Sequence, residues 1–69
     1  MKVEKKAFIT LQDYLKKNNL VQTGGEAKIL IQTGKVFVNE QIELRRGKKL
    51  KPGDQIKFKN KVFVVEDVY

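Results

Sequence analysis

The segment Arg45-Arg46-Gly47-Lys48-Lys49-Leu50-Lys51 carries the strongest chemical signal in the sequence, because five of its seven residues are basic and none is acidic. The guanidinium group of an arginine presents a planar fork that fits a phosphate through two parallel hydrogen bonds, whereas a lysine ammonium acts as a point charge. Gly47 allows the backbone to bend toward a ligand. We expect Leu50 to anchor the segment in the core. A basic cluster of this kind is typical of a protein that binds a polyanion.

The net charge of +7 is concentrated around this segment. Residues 45–61 hold eight basic residues against Asp54, whereas residues 1–44 hold seven bases and five acids, and residues 62–69 hold two acids and no base. The isoelectric point is about 9.8. A solvated face kept charged for solubility is the alternative explanation. We favour binding because the bases are clustered rather than scattered.

Several kinds of chemistry are excluded by residues that the sequence lacks. It contains no cysteine, no histidine and no serine. Disulfides, ordinary zinc sites and Ser-His-Asp or Cys-His catalytic groups therefore cannot be assembled. Carboxylates remain for acid–base work, but they need a concave site that a single small domain has little room to form. The sequence predicts a protein that is not an enzyme and that uses no cofactor and no metal.

The length of 69 residues corresponds to one small domain, spanning residues 1–69. No apolar run approaches the roughly 18 residues of a membrane span, and the charged N-terminus has no apolar segment behind it that resembles a signal peptide. We therefore expect a cytoplasmic protein that does not engage a membrane. We also expect it to be a monomer.

Two short helices are predicted in the first half of the chain. Thr10 followed by Asp13 is a variant of the helix capping box, and the first helix is expected to end at Asn18-Asn19. Thr23 with Glu26 is a second capping box, and Gly34 is expected to end the second helix in a left-handed conformation. The apolar residues recur at helical spacing in both segments.

After Gly34 the apolar period changes to two, which predicts strands. Residues 36–38, 42–44, 55–59 and 62–65 read as strands, separated by turns at residues 39–41, 52–54 and 60–61. Residues 3–8 read as a short charged strand or an extended arm. The expected fold class is α+β, with two short helices packed on a small antiparallel sheet.

The ordered set of motifs resembles the S4-type RNA-binding domain over about residues 9–58. The matching positions are Leu11 and Leu15 in the first helix, Thr23 through Ala27 at the start of the second, the series Ile31, Gly34, Val36, Val38 and Asn39, and Pro52-Gly53-Asp54 with Ile56. The diglycine Gly24-Gly25 and the basic segment are similar to those of small single-domain bacterial S4 proteins of the YaaA/YbcJ type. The resemblance implies the S4 fold, RNA as ligand and a link to ribosome assembly.

The sequence departs from the usual S4 pattern at three places. Thr10 stands where an arginine usually precedes the leucine of the first helix, Thr23-Gly24 replace Ser-Arg, and Glu40 replaces the glycine of a Val-Asn-Gly turn. Two common basic contacts are therefore absent from the helices. This shifts the expected RNA contacts toward Arg45, Arg46, Lys48, Lys49 and Lys51.

Further candidate contacts each have a structural alternative. Thr23 and Gly24 open a helix whose backbone N–H groups fit a phosphate, but they also read as a plain capped turn. Lys28, near the positive end of that helix, either contacts a phosphate or opposes the helix dipole. Asn39 is a turn residue or an RNA contact. Lys35 begins the same hairpin and is expected to be exposed on either interpretation. Phe37 points away from Val36 and Val38 and is either a stacking platform or part of the core.

Three functions compete at this point. The first is binding of structured RNA, expected to be ribosomal RNA or a ribosomal subunit precursor, through shape and phosphates. The second is a protein-interaction or assembly module whose basic surface meets an acidic partner. The third is binding at a membrane surface, which normally needs a basic amphipathic helix. We favour the first, with a role in ribosome assembly or maturation.

Overall fold

The computed structural model of the protein describes residues 8–66. The elements in chain order are β1 (Ile9–Thr10), α1 (Leu11–Lys17), α2 (Gly24–Gln32), β2 (Val36–Val38), β3 (Gln41–Ile42), β4 (Lys49–Leu50), β5 (Gln55–Phe58) and β6 (Lys61–Val64). The predicted strand or arm over residues 3–8 lies outside the described residues except for Phe8. The α+β architecture agrees with the prediction.

The strands form two antiparallel sheets. The larger sheet has four strands in the order β3-β2-β5-β6, and the smaller one pairs β1 with β4. Ile9 pairs with Leu50 and Thr10 with Lys49 in the smaller sheet. This second sheet was not predicted, and it joins the chain just before α1 to the basic segment.

Both helices are held by the predicted caps. The hydroxyl of Thr10 accepts a hydrogen bond from the Asp13 amide at 3.3 Å, and that of Thr23 accepts one from the Glu26 amide at 3.1 Å. The carboxylate of Glu26 reaches back to the amide of Gln22 at 2.8 Å. Each cap satisfies a backbone donor that a helix start otherwise leaves unpaired. These contacts are needed because helices of this length are not stable by propensity alone.

One core lies between the helices and the larger sheet. Its fully buried side chains alternate along β2 and β5 and recur at helical spacing on α1 and α2, as the sequence pattern predicts. They include Leu11, Leu15, Ala27, Ile31, Val36, Leu50 and Ile56. Leu30 is half-buried against this core, whereas Ile29 is 63% exposed.

Both hairpin turns of the larger sheet contain two residues with left-handed backbone. Asn39 and Glu40 have φ values of 50° and 71°, and Lys59 and Asn60 have values of 53° and 65°. Positive φ at both central positions is the signature of the type I′ turn, which matches the twist of the flanking strands. The predicted turns at residues 39–41 and 60–61 are each wrong by one residue, because Gln41 already belongs to β3 and Lys61 to β6.

Gly34 follows α2 with a φ of +80°, as predicted for the residue after a helix. Gly34→Val should destabilise the protein by about 1–2 kcal/mol or more, because a β-branched residue is strained in left-handed backbone. Gly25→Ala is the matched control, since Gly25 lies within α2 and a methyl group there has space. It should raise stability by up to about 1 kcal/mol. Chemical denaturation of both variants measures the two effects, and equal stabilities would contradict the assigned end of α2.

Candidate nucleic-acid interface

The basic loop, defined as residues 45–51, presents its charges outward and one apolar side chain inward. The side chains of Arg45, Arg46, Lys49 and Lys51 are exposed, and Lys48 is half-buried. Leu50 is fully buried, which confirms the predicted anchor. The alternation at Lys49 and Leu50 follows from the strand conformation of β4, which sends successive side chains to opposite faces. The loop therefore holds its cations in solvent without being loosely attached.

Backbone hydrogen bonds fix this loop to the start of α1. The amide of Leu11 donates to the carbonyl of Lys48 at 2.8 Å, and the amide of Gln12 donates to the carbonyl of Arg46 at 3.0 Å. With Asp13 donating to Thr10, the first three amides of α1 all have partners. The loop carbonyls thus occupy the donors that a helix start offers to an anion. An anion at this interface is therefore met by side chains of the loop rather than by the amides of α1.

The start of α2 lies beside the same region. A Cβ atom at Gly24 would come within 2.7 Å of the side-chain nitrogen of Gln12, so the side chain of Gln12 covers the first residue of α2. Gln12 also bonds the loop through its backbone amide. One residue thereby connects the first turn of α1, the first turn of α2 and the basic loop. The role of Gln12 could not be predicted from the sequence, because a single glutamine in a helix gives no signal of its own.

Arg45 is oriented by a carboxylate two residues earlier. Its Nε donates to one oxygen of Glu43 at 2.9 Å and its Nη2 to the other at 3.3 Å, while its backbone amide donates to the same carboxylate at 3.0 Å. These hydrogen bonds lower the pKa of the Glu43 carboxyl and raise the pKa of the Arg45 guanidinium. A guanidinium carries five N–H donors. Those not engaged by Glu43 remain on a side chain that is 72% exposed.

Glu43 is a functional candidate that was not predicted from the sequence. It is only 13% exposed, whereas its partner is mostly in solvent. A signal for the pair exists in the sequence, since residues two apart in extended backbone lie on the same face. An acid and an arginine at that spacing can therefore meet.

Two other flanking residues are engaged in shaping the interface. The carboxylate of Asp54 accepts from the Lys51 amide at 2.8 Å and from the side-chain amide of Asn39 at 3.3 Å. The side-chain oxygen of Asn39 accepts from the Gln55 amide at 2.9 Å. Asn39 thus has the turn role that the sequence suggested, and it braces the β2–β3 turn against the start of β5. Its contact with RNA stays a prediction.

The structure brings some of the predicted site residues together and leaves others apart. The loop residues Arg45, Arg46, Lys48 and Lys49 lie against the first turn of α1, with Thr23 and Gly24 next to Gln12. Lys28 is exposed on α2. Lys51 and Asn39 meet through Asp54. Lys35 lies apart from the first turn of α1. It is beyond the last residue of β5, because Val36 pairs with Phe58.

An aromatic contact adds to the attachment of the loop. The ammonium of Lys49 lies 4.9 Å from the centre of the Phe8 ring. A cation at this distance from an aromatic face is attracted by the ring electrons. The contact leaves the charge of Lys49 available at the surface, because Lys49 remains exposed.

The geometry defines a small α+β domain in which a basic loop is docked onto the start of α1, with the start of α2 beside Gln12. A family profile for the S4 domain matches residues 1–66. The chain therefore belongs to the S4 domain family, which confirms the resemblance drawn from the sequence motifs. It is also similar to the probable ribosome maturation protein RlbA of Bacillus subtilis (strain 168), at 41% identity over 49 residues that cover 71% of this chain and 69% of that relative.

The docking of the loop depends on Leu50. Leu50→Ala should lower the free energy of unfolding by about 2–5 kcal/mol, since it removes a fully buried side chain and leaves a cavity. Native-state hydrogen exchange should also quicken at the amides of Leu11 and Gln12, which bond the loop. Leu44→Ala is the control, because Leu44 is 54% exposed, and it should change stability by no more than about 0.5 kcal/mol. Unchanged protection at both amides would contradict this account of the docking.

Proposed function

We propose that the protein binds structured RNA, namely ribosomal RNA in a ribosomal subunit precursor, and acts in ribosome assembly or maturation. The observation that carries the proposal is the basic loop, whose backbone is bonded to α1 while its cationic side chains stay exposed. Membership of the S4 family and the similarity to a ribosome maturation protein support it. We also propose that the role is binding rather than catalysis.

The attachment of the loop fixes its shape and should also increase its affinity for RNA. Ordering a flexible segment on binding reduces affinity, because side chains and backbone lose conformational freedom. Here the backbone bonds of Arg46 and Lys48 and the burial of Leu50 set the loop before any ligand arrives. The loop then meets phosphates largely in its bound conformation. Loss of condensed counterions from the RNA provides much of the favourable free energy.

The exposed end of the Arg45 guanidinium suits a phosphate. Glu43 engages Nε and one side of the fork, which limits the orientations that the group can adopt. The remaining donors can form a second pair of hydrogen bonds, directed to a phosphate. Glu43 acts here as a positioning residue, and its charge partly offsets that of Arg45.

The first turn of α2 supplies a second set of contacts in this proposal. Thr23 caps the amide of Glu26. Gly25 carries no side chain that would block an approaching phosphate, whereas Gly24 is covered by the side chain of Gln12. The positive end of the helix dipole favours an anion at this place. Lys28, exposed on the same helix, adds a charge. Phosphates along an RNA backbone can then follow the loop and the start of α2 together.

Replacement of both loop arginines tests the proposed interface. If about four to five phosphates are contacted, the slope of log K against log salt should be roughly −3 to −4.5. Arg45→Gln with Arg46→Gln should reduce that slope by about one to two and weaken binding to many structured RNAs alike. The control is Lys16→Gln with Lys17→Gln, which removes the same charge from the last turn of α1. Titrations of ribosomal RNA fragments at several salt concentrations measure both. Equal losses in the two double variants would contradict a localised interface.

The ion pair generates a second prediction. Arg45→Gln should weaken RNA binding more than Arg46→Gln does, because it also leaves the Glu43 carboxylate unpaired beside the RNA. Adding Glu43→Gln to the Arg45→Gln variant should recover the difference between the two. Dissociation constants of the three variants for one ribosomal RNA fragment decide the matter. Equal effects of the single substitutions, with no recovery, would show that Glu43 has no part in the interface.

A further inference from the structure

A second surface that suits RNA lies where α2 joins β2, and it shares no residue with the basic loop. It is an open groove of about 570 Å³, lined on its apolar side by Leu30, Phe37 and Phe58 and on its charged side by Lys35, Lys57 and Lys59. None of the residues that line it is acidic. Its volume lies within the range of about 300–1,000 Å³ that is usual for small-ligand sites. The combination of aromatic rings with three ammonium groups fits a ligand that is flat and apolar in one part and anionic in another.

Phe37 is the one ring of the groove that is partly open to solvent. It lies on the face of the larger sheet opposite the core, because its neighbours Val36 and Val38 are buried. Cross-strand pairing places Lys57 directly beside it on β5 and Ile42 beside it on β3. Phe58, by contrast, is only 3% exposed. A ligand in the groove therefore meets the Phe37 ring, with a lysine next to it on the same face.

Lys59 occupies its place at a conformational cost. Its φ of 53° is the left-handed value that a type I′ turn requires, where asparagine, aspartate or glycine is preferred. Its ammonium lies 5.2 Å from the centre of the Phe58 ring, so the cation is held at the edge of the groove. A lysine in strained backbone at a binding groove is consistent with a side chain that serves a ligand.

The groove adjoins the basic loop along the chain. The amide of Glu43 donates to the carbonyl of Val36, between Lys35 and Phe37, and three residues later the carbonyl of Arg46 accepts from α1. Three residues span at most about 11 Å. One RNA molecule can therefore contact both places without leaving the surface.

We propose that this groove binds an unpaired nucleotide of the RNA whose folded part lies on the basic loop, with the base stacked on Phe37 and the phosphates beside Lys35, Lys57 and Lys59. This inference rests on the proposed function and extends it to a preference for a helix next to a single-stranded segment. Stacking of a base on an aromatic ring tolerates any base, because each has a flat face. The groove thus recognises an unpaired nucleotide without reading its sequence.

The test compares two RNA hairpins, one blunt and one carrying a short unpaired 3′ extension. The parent protein should bind the extended hairpin about tenfold more tightly, within the range that one stacked base provides. Phe37→Leu should abolish that advantage and leave the affinity for the blunt hairpin unchanged, whereas Phe37→Tyr should retain it. Phe63→Leu is the control, since that half-buried ring packs against the core and does not line the groove.

Lys59→Asn provides an independent variant that should fold at least as well as the parent, because asparagine suits the turn. It should reduce the advantage of the extended hairpin a few-fold. Equal affinity of the parent for the two hairpins, or an advantage that survives Phe37→Leu, would overturn the inference while leaving the proposed function intact. Loss of blunt-hairpin binding only in the loop arginine variants would support the proposed function separately. Binding of a glutamate-rich peptide that is lost in Phe37→Leu would assign the groove to an acidic protein instead, and would also overturn the inference.

Discussion

The attachment of the basic loop to the start of α1 is the contact on which the rest of the interface depends. Two carbonyls of the loop accept hydrogen bonds from Leu11 and Gln12, and Leu50 next to them is fully buried. The same bonds satisfy the first two amides of α1 and hold the loop. Clustered cations repel one another, and this geometry keeps them together without a ligand because the attachment uses backbone atoms and an apolar side chain instead of the charges.

Two acidic residues lie beside this surface, which suits an anion, and their carboxylates are occupied by hydrogen bonds within the protein. Glu43 accepts three hydrogen bonds from Arg45, and Asp54 accepts from the backbone of Lys51 and from Asn39. Each carboxylate fixes the conformation of a neighbouring basic segment through hydrogen bonds. Their charges lower the net potential of the surface, but they reduce the number of conformations that the chain explores. The surface therefore has a better-defined conformation and a lower net positive charge.

Much of the fold could be predicted from the sequence, because its signals are local. The capping residues Thr10 and Thr23, the glycine after α2 and the alternation of β2 and β5 each act over a few residues, and all appear in the structure. The pairing of β1 with β4 could not be predicted, since two-residue strands have no measurable period. Within the candidate site, Arg45 and Arg46 could be predicted because they are clustered in the sequence. The contact of Gln12 with Gly24 could not be predicted, because it joins residues from two helices. Contacts of that kind arise from tertiary packing and leave no pattern in one sequence.

The bonds between the loop and α1 join segments that are far apart in the chain, so the proposed RNA surface exists only when the whole domain is folded. A ligand that binds the folded state alone stabilises it, by about 2.7 kcal/mol when its free concentration is a hundred times the dissociation constant. A domain of this size has a thin margin of stability, so an increment of that order is a large fraction of the total. Folding and RNA binding are therefore thermodynamically linked in this proposal. The population of folded molecules would rise wherever the RNA is abundant. The RNA would then stabilise the folded protein as well as being the ligand that the protein recognises.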